Sequence, residues 1–240
     1  MVDKPATTEP PRKRVRCSAD DGPSVNSKAI IVRVGVAKQE FYVHEELLSA
    51  SSVFFNNALK KEWKTGHEAA VDVLDVEPDW FRAWVKFLYT GRVFVGSEEE
   101  GKNDSKEGDT WKELYVLADF IQDIDFKDAL IDAMIERILK LGKCPQQFAK
   151  YVFSRSAKDS AHRKFAVDLF VIGWPRDGCL EYLESQPPEF MMDVVRAIMP
   201  GLQEDIKRAH PTQWLDQVET CKYHDHGDKP CYKTKPAFRY

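Results

Sequence analysis

The chain has 240 residues, 43% hydrophobic and 31% charged, a balance that suits one large globular domain or a domain with an extension. Its formal net charge of −4 argues against a protein that coats nucleic acid, which would be basic. No run approaches the roughly 18 apolar residues that cross a bilayer, and the polar, Pro-rich residues 1–11 lack the apolar core of a secretory signal. The expected setting is therefore a reducing compartment, nucleus or cytoplasm, with no membrane partner. There the five cysteines, Cys17, Cys144, Cys179, Cys221 and Cys231, are free thiols or metal ligands rather than disulfides.

Residues 1–26 carry too little apolar content to pack and are expected to be disordered. Within them Arg12, Lys13, Arg14 and Arg16 form a short cationic run. It suits a nuclear-import receptor or a phosphate backbone, and the alternative is a solvated tail. Order is expected from residue 27. Ile30, Val32 and Val34 alternate with Ile31 and Arg33, and after a turn at Gly35 and 37–39, Phe41 and Val43 alternate with Tyr42. Two strands so placed predict a hairpin.

The period then lengthens. Residues 45–50, with Leu47 and Leu48, predict a short helix, and Ser52 is a candidate N-cap for a second carrying Phe55, Ala58 and Leu59. Val71 and Val73 predict a third strand over 69–75. Pro78 fits the first turn of the next helix, where Phe81, Trp84, Val85 and Leu88 make an apolar stripe that Gly91 ends. Residues 96–110 hold almost nothing apolar and predict an acidic surface loop. Helical spacing resumes through Leu114, Leu117, Ala118 and Ile121, breaks near 123–125, and continues through Ile131, Met134, Ile135 and Ile138 until Gly142 and Pro145. From 142 to 201 short helices are expected around Phe148, Val152 and Phe153, around Phe165, Leu169 and Ile172, and from Pro188 through Phe190, Met191, Val194, Val195 and Ile198. Residues 202–240 read as a polar tail with a Cys/His cluster. Few early strands and many later helices predict an α+β fold, a small sheet covered by helices and followed by an all-helical extension.

The phrases Phe41-Tyr42-Val43-His44-Glu45-Glu46-Leu47-Leu48, Ser52-Val53-Phe54-Phe55, Phe87-Leu88-Tyr89-Thr90-Gly91 and Leu114-Tyr115-Val116-Leu117-Ala118-Asp119, in this order and spacing, resemble the BTB/POZ domain. The long acidic loop and helical tail are similar to the fungal members. The resemblance spans about 28–140 and implies docking and self-association rather than catalysis. It makes Phe41, His44, Leu47, Leu48, Phe55, Trp84, Leu88, Tyr89 and Leu117 hallmark core positions. The charged pair of many dimeric members is replaced here by Ala29 and Glu45. An unpaired carboxylate resists burial, so Glu45 is expected to be exposed. The apolar-x-Glu phrase of cullin adaptors falls on Trp63-Lys64-Thr65, without the Glu.

His44 is read as structural, its ring bonded to backbone near a helix start. No G-x-S-x-G, H-E-x-x-H or Gly-rich phosphate loop is present, so no enzyme is expected. The most chemically pointed segment is Cys221-x2-His224-x-His226-x4-Cys231, whose two sulfurs and two imidazoles suit a tetrahedral zinc. The competing reading is a disordered polar tail. The expected function is non-catalytic docking, homotypic (a homodimer) or heterotypic, in a setting such as transcriptional regulation. The alternatives are a cullin ubiquitin-ligase adaptor and a nucleic-acid-associated nuclear regulator. No interleaved aromatics accompany the N-terminal arginines, which disfavours nucleic acid.

Overall fold

The computed structural model describes residues 22–65, 70–96, 104–145, 147–173, 179–199 and 211–235. Strands β1 (Ala29–Val34) and β2 (Gln39–His44) pair antiparallel, Ile30 opposite Val43 and Val32 opposite Phe41. The turn closes by a 2.9 Å bond from the Lys38 N–H to the Gly35 carbonyl. Gly35 adopts φ +74°, and a Cβ there would meet the Pro78 ring at 3.1 Å, so both the turn and the close approach require glycine. Strand β3 (Ala70–Val73) lies parallel to β1 on its other side, giving the order β2-β1-β3. Central β1 points Ile30, Val32 and Val34 into the core with no exposure.

Between β2 and β3 run α1 (Glu45–Ser51) and α2 (Val53–Thr65). Ser52 caps α2 as expected: its Oγ accepts the Phe55 N–H at 3.2 Å. The same hydroxyl donates to the Ile121 carbonyl at 2.5 Å, tying the start of α2 to the end of a later helix. Helix α3 (Pro78–Thr90) buries Phe81, Trp84, Phe87 and Leu88 and ends at Gly91 in the left-handed region. Phe87, rather than Val85, completes its buried face; Val85 is half-buried.

Helix α4 (Asp104–Ile121) begins inside the stretch expected to be loop, so 104–110 are helical. Packing overrides composition there. Trp111 is buried with its indole N–H bonded to the Leu130 carbonyl at 2.6 Å, and Gly108 is buried one turn earlier. The acidic character of this first part also favours a helix N-terminus. Helix α5 (Ile124–Leu141) follows a sharp turn at Gln122, φ 55°, and stops at Gly142, φ 65°.

The extension forms α6 (Phe148–Arg155), α7 (Ala161–Gly173), α8 (Cys179–Glu184) and α9 (Pro188–Ile198). In α9 Phe190 and Val194 are buried among Phe153, Phe170 and Tyr182, whereas Val195 faces outward. The expected polar tail is folded over 211–235, with α10 (Pro211–Asp216) and 3-10 turns at Thr220–Tyr223 and Tyr232–Thr234. Its apolar residues are sparse and aperiodic, so they leave no helical or strand pattern, yet each is inserted singly. Tyr223 packs on Phe165 and Trp214, and Tyr232 reaches Phe87 of α3. The buried residues of sheet, helices, extension and tail form one continuous core, which crosses the boundaries expected near 141 and 201.

Candidate functional site

Of the hallmark residues, Leu47, Leu48, Phe55, Trp84, Leu88 and Leu117 are buried, and Phe41 and Tyr89 pack partly buried against the same core. His44 ends β2 at the start of α1, but its ring partner is a side chain. Nδ1 lies 2.7 Å from the Tyr89 hydroxyl, which also accepts the His44 backbone N–H at 3.3 Å. The one hydroxyl thus ties both the backbone and the ring of His44 to α3, and the ring tautomer sets which of Nδ1 and the hydroxyl donates to the other. Tyr89→Phe removes both bonds, and we expect it to lower stability by about 1 kcal/mol, read as a lower urea midpoint at unchanged slope. Glu45 is half-buried in the first turn of α1, rather than fully exposed. A carboxylate there is compensated by the helix N-terminal dipole and partial hydration.

Across α2, the end of α4 and the start of α5 lies an apolar face. Val53, Phe120 and Ile124 are 49%, 43% and 40% exposed, and the Phe54 and Phe120 rings stand 5.1 Å apart. A groove of about 410 Å³ opens beside it, lined by Phe54, Asn57, Ala58, Val71 and Gln122. Beneath this face Asp123 is wholly buried. Its Oδ2 accepts from the Trp84 indole at 2.7 Å and from Ser51 Oγ at 2.5 Å, and its Oδ1 caps α5 through the Phe126 N–H at 2.9 Å. Burial pushes its pKa up to about 6, against the pull of these three donors.

Helix α5 carries a second polar stripe that the sequence reading missed. Asp128 and Asp132, one turn apart, are buried and face the extension and the tail. Asp128 Oδ1 accepts from His162 Nε2 and from the Asp225 backbone N–H, both at 2.9 Å. His162 Nδ1 lies 2.8 Å from the Tyr115 hydroxyl, which is 2.7 Å from Ser156 Oγ. An acid–imidazole–hydroxyl chain has the components of acid–base chemistry. Here both Asp128 and the imidazole are sealed from solvent, and the chain joins α4, α5 and α7 to the tail. The available signal was two aspartates spaced i, i+4 within a largely apolar helix.

The tail brings Cys221, His224, His226 and Cys231 together, as their spacing suggested, with one ligand atom from each lying within 4.8 Å of the others. Cys221 Sγ is 3.1 Å from His226 Nε2, and Cys231 Sγ is 3.3 Å from His224 Nδ1. The outer ring nitrogens are occupied: His224 Nε2 lies 3.1 Å from both Asp132 oxygens, and His226 Nδ1 lies 2.9 Å from the Gly227 carbonyl. Asp132 also accepts from the Tyr232 hydroxyl and lies 2.9 Å from Lys233 Nζ. Burial alone would raise the Asp132 pKa, but the bond and charge of His224, with Tyr232 and Lys233, hold it below the usual range. The basic residues Arg12, Lys13, Arg14 and Arg16 and the Trp63-Lys64-Thr65 side chains lie outside the described residues.

Residues 29–122 match the family model of the BTB/POZ domain, a family of protein–protein interaction modules. The chain is 26% identical over 115 residues to Kelch repeat and BTB domain-containing protein 4 of Homo sapiens, covering 48% of this chain and 19% of that protein. The Pongo abelii protein of the same name gives the same identity, with 20% of its length covered. The chain thus spans about a fifth of the length of these curated relatives. Among solved structures it is similar to the BTB domain of zebrafish PATZ1, at 20% identity and TM-score 0.33, over 45% of this chain and 75% of that one. Among the described residues no helix is long and apolar enough to cross a membrane.

Proposed function

We propose that the BTB/POZ domain docks a second copy of itself through the face formed by Val53, Phe54, Phe120 and Ile124. The observation that carries this reading is the grouping of four apolar side chains, three of them 40% or more exposed, beside a groove. Scattered exposed apolar residues are ordinary, but a contiguous set beside a groove favours an interface. Buried phenylalanines contribute about 1.5–3 kcal/mol each. Phe54→Asp with Phe120→Glu should therefore weaken association about 100-fold or more. Light scattering on the eluting protein tests this: the wild type is expected as a dimer and the double variant as a folded monomer. A wild type that stays monomeric at the highest attainable concentration contradicts the homotypic form.

The heterotypic form then predicts capture of a protein partner that the same double variant loses. A purified cullin is the first bait, because cullin adaptors occur among BTB domains. A nuclear, regulatory setting draws its support from Arg12, Lys13, Arg14 and Arg16. Replacing all four by alanine is expected to redistribute the protein to the cytoplasm.

A further inference from the structure

We propose that Cys221, His224, His226 and Cys231 bind one structural zinc ion, that Asp132 of α5 positions His224 for it, and that the ion fixes the C-terminal segment across helix α5. The donor set is two sulfurs and two imidazole nitrogens, which selects zinc in a tetrahedral field. Zinc bonds of about 2.0–2.3 Å set ligand atoms roughly 3.3–3.8 Å apart in a tetrahedron. The four atoms here already lie within 4.8 Å of one another, and two sulfur–nitrogen pairs stand at 3.1 and 3.3 Å. The backbone makes so compact a loop feasible: Gly227 turns at φ +57°, and the 3-10 turn Thr220–Tyr223 separates Cys221 from His224.

The histidines carry the independent observation. Each ring has one nitrogen engaged outward, His224 Nε2 on the Asp132 carboxylate and His226 Nδ1 on the Gly227 carbonyl, and the other nitrogen faces a sulfur. Hydrogen bonds of this kind fix the tautomer that offers a lone pair to a metal. On binding, the two thiols release two protons to solvent and the four ligands close all positions. The site is thus structural, with no open place for substrate. Asp132 belongs to α5, and α5 also receives the Asp225 N–H on Asp128 and Lys235 on Asp125. The ion therefore locks a strap that is already laid along this helix.

The full chain, made without a histidine tag, is expected to carry about one zinc per chain by elemental analysis. Cys221→Ser with Cys231→Ser should abolish it. Asp132→Asn, which leaves all four ligands in place, should weaken zinc 10- to 100-fold in competition with a chelator. Cobalt(II) in the wild type should give the intense visible absorption of a tetrahedral site with thiolate ligands. Chelation should speed amide exchange in 220–235 before it affects β1. Should the double cysteine variant fail to fold, the wild-type stoichiometry and the Asp132→Asn competition still decide. Less than a tenth of a zinc per chain with no tetrahedral cobalt spectrum, or a different stoichiometric metal, overturns the proposal. An Asp132→Asn affinity equal to wild type overturns the positioning role.

Discussion

His162→Ala is expected to lower the stability of the fold by about 3–5 kcal/mol, the cost of a cavity in the core together with buried polar groups left short of partners. His162 and Asp128 have no exposure. The ring supplies one of the two donors to Asp128 Oδ1, and Oδ2 has no hydrogen-bond partner among the described residues. Truncation leaves the carboxylate with one backbone N–H, takes from Tyr115 the acceptor for its hydroxyl, and opens a void between α4, α5 and α7. The phenol cannot compensate by ionising, since burial drives its pKa far upward. Asp128→Ala together with His162→Ala should cost less than the sum of the single changes, by about 1–3 kcal/mol, because the second change removes the buried acceptor that the first left short of a donor. Urea denaturation of the four proteins gives the cycle. Strict additivity would show that the pair is not coupled.

Asp123→Ala is the second large effect, about 2–4 kcal/mol. The loss of the α5 cap contributes about 1 kcal/mol, and a buried Trp84 indole N–H without its acceptor contributes about 1–3 kcal/mol. The wild-type residue also predicts a pH dependence. Its folded pKa, about 6, is raised above the unfolded value of about 3.9. The stability it contributes is thus fully present below pH ~4 and is lost as pH rises through ~6, by about 3 kcal/mol in all for a group with no exposure. Asp123→Asn cannot ionise and can no longer accept from three donors at once. Its stability deficit relative to wild type should therefore shrink between pH 4 and 7. A deficit that stays constant, in urea midpoints at several pH values, would mean that Asp123 ionises normally.

Much of the fold was legible because burial follows period. The alternation at Ile30, Val32 and Val34, the stripe through Phe81, Trp84 and Leu88, and the capping Ser52 all appear where local pattern and tertiary packing agree. The early start of α4 was not legible, since its first turns are acidic and only the contacts of Gly108 and Trp111 decide their conformation. The same holds for the tail, where Tyr223 and Tyr232 each fill a gap left by helices far away in sequence. The Cys/His cluster was visible as four residues of two metal-ligating types at close spacing. Its anchor was hidden, because Asp132 lies 92 positions before His224 and reads as one more charge on a helix. Asp128 and His162 were hidden for the same reason. In the docking face, the exposure of Phe54 and Phe120 depends on what the other helices leave uncovered.

Amide hydrogen exchange, mapped by mass spectrometry on the intact chain at dilute and at concentrated protein, tests the proposed self-docking face most directly. Slower exchange at high concentration in 53–58 and 118–124, with β1 and α7 unchanged, is the expected result. Identical exchange in those segments at both concentrations, or protection appearing only elsewhere, would contradict it.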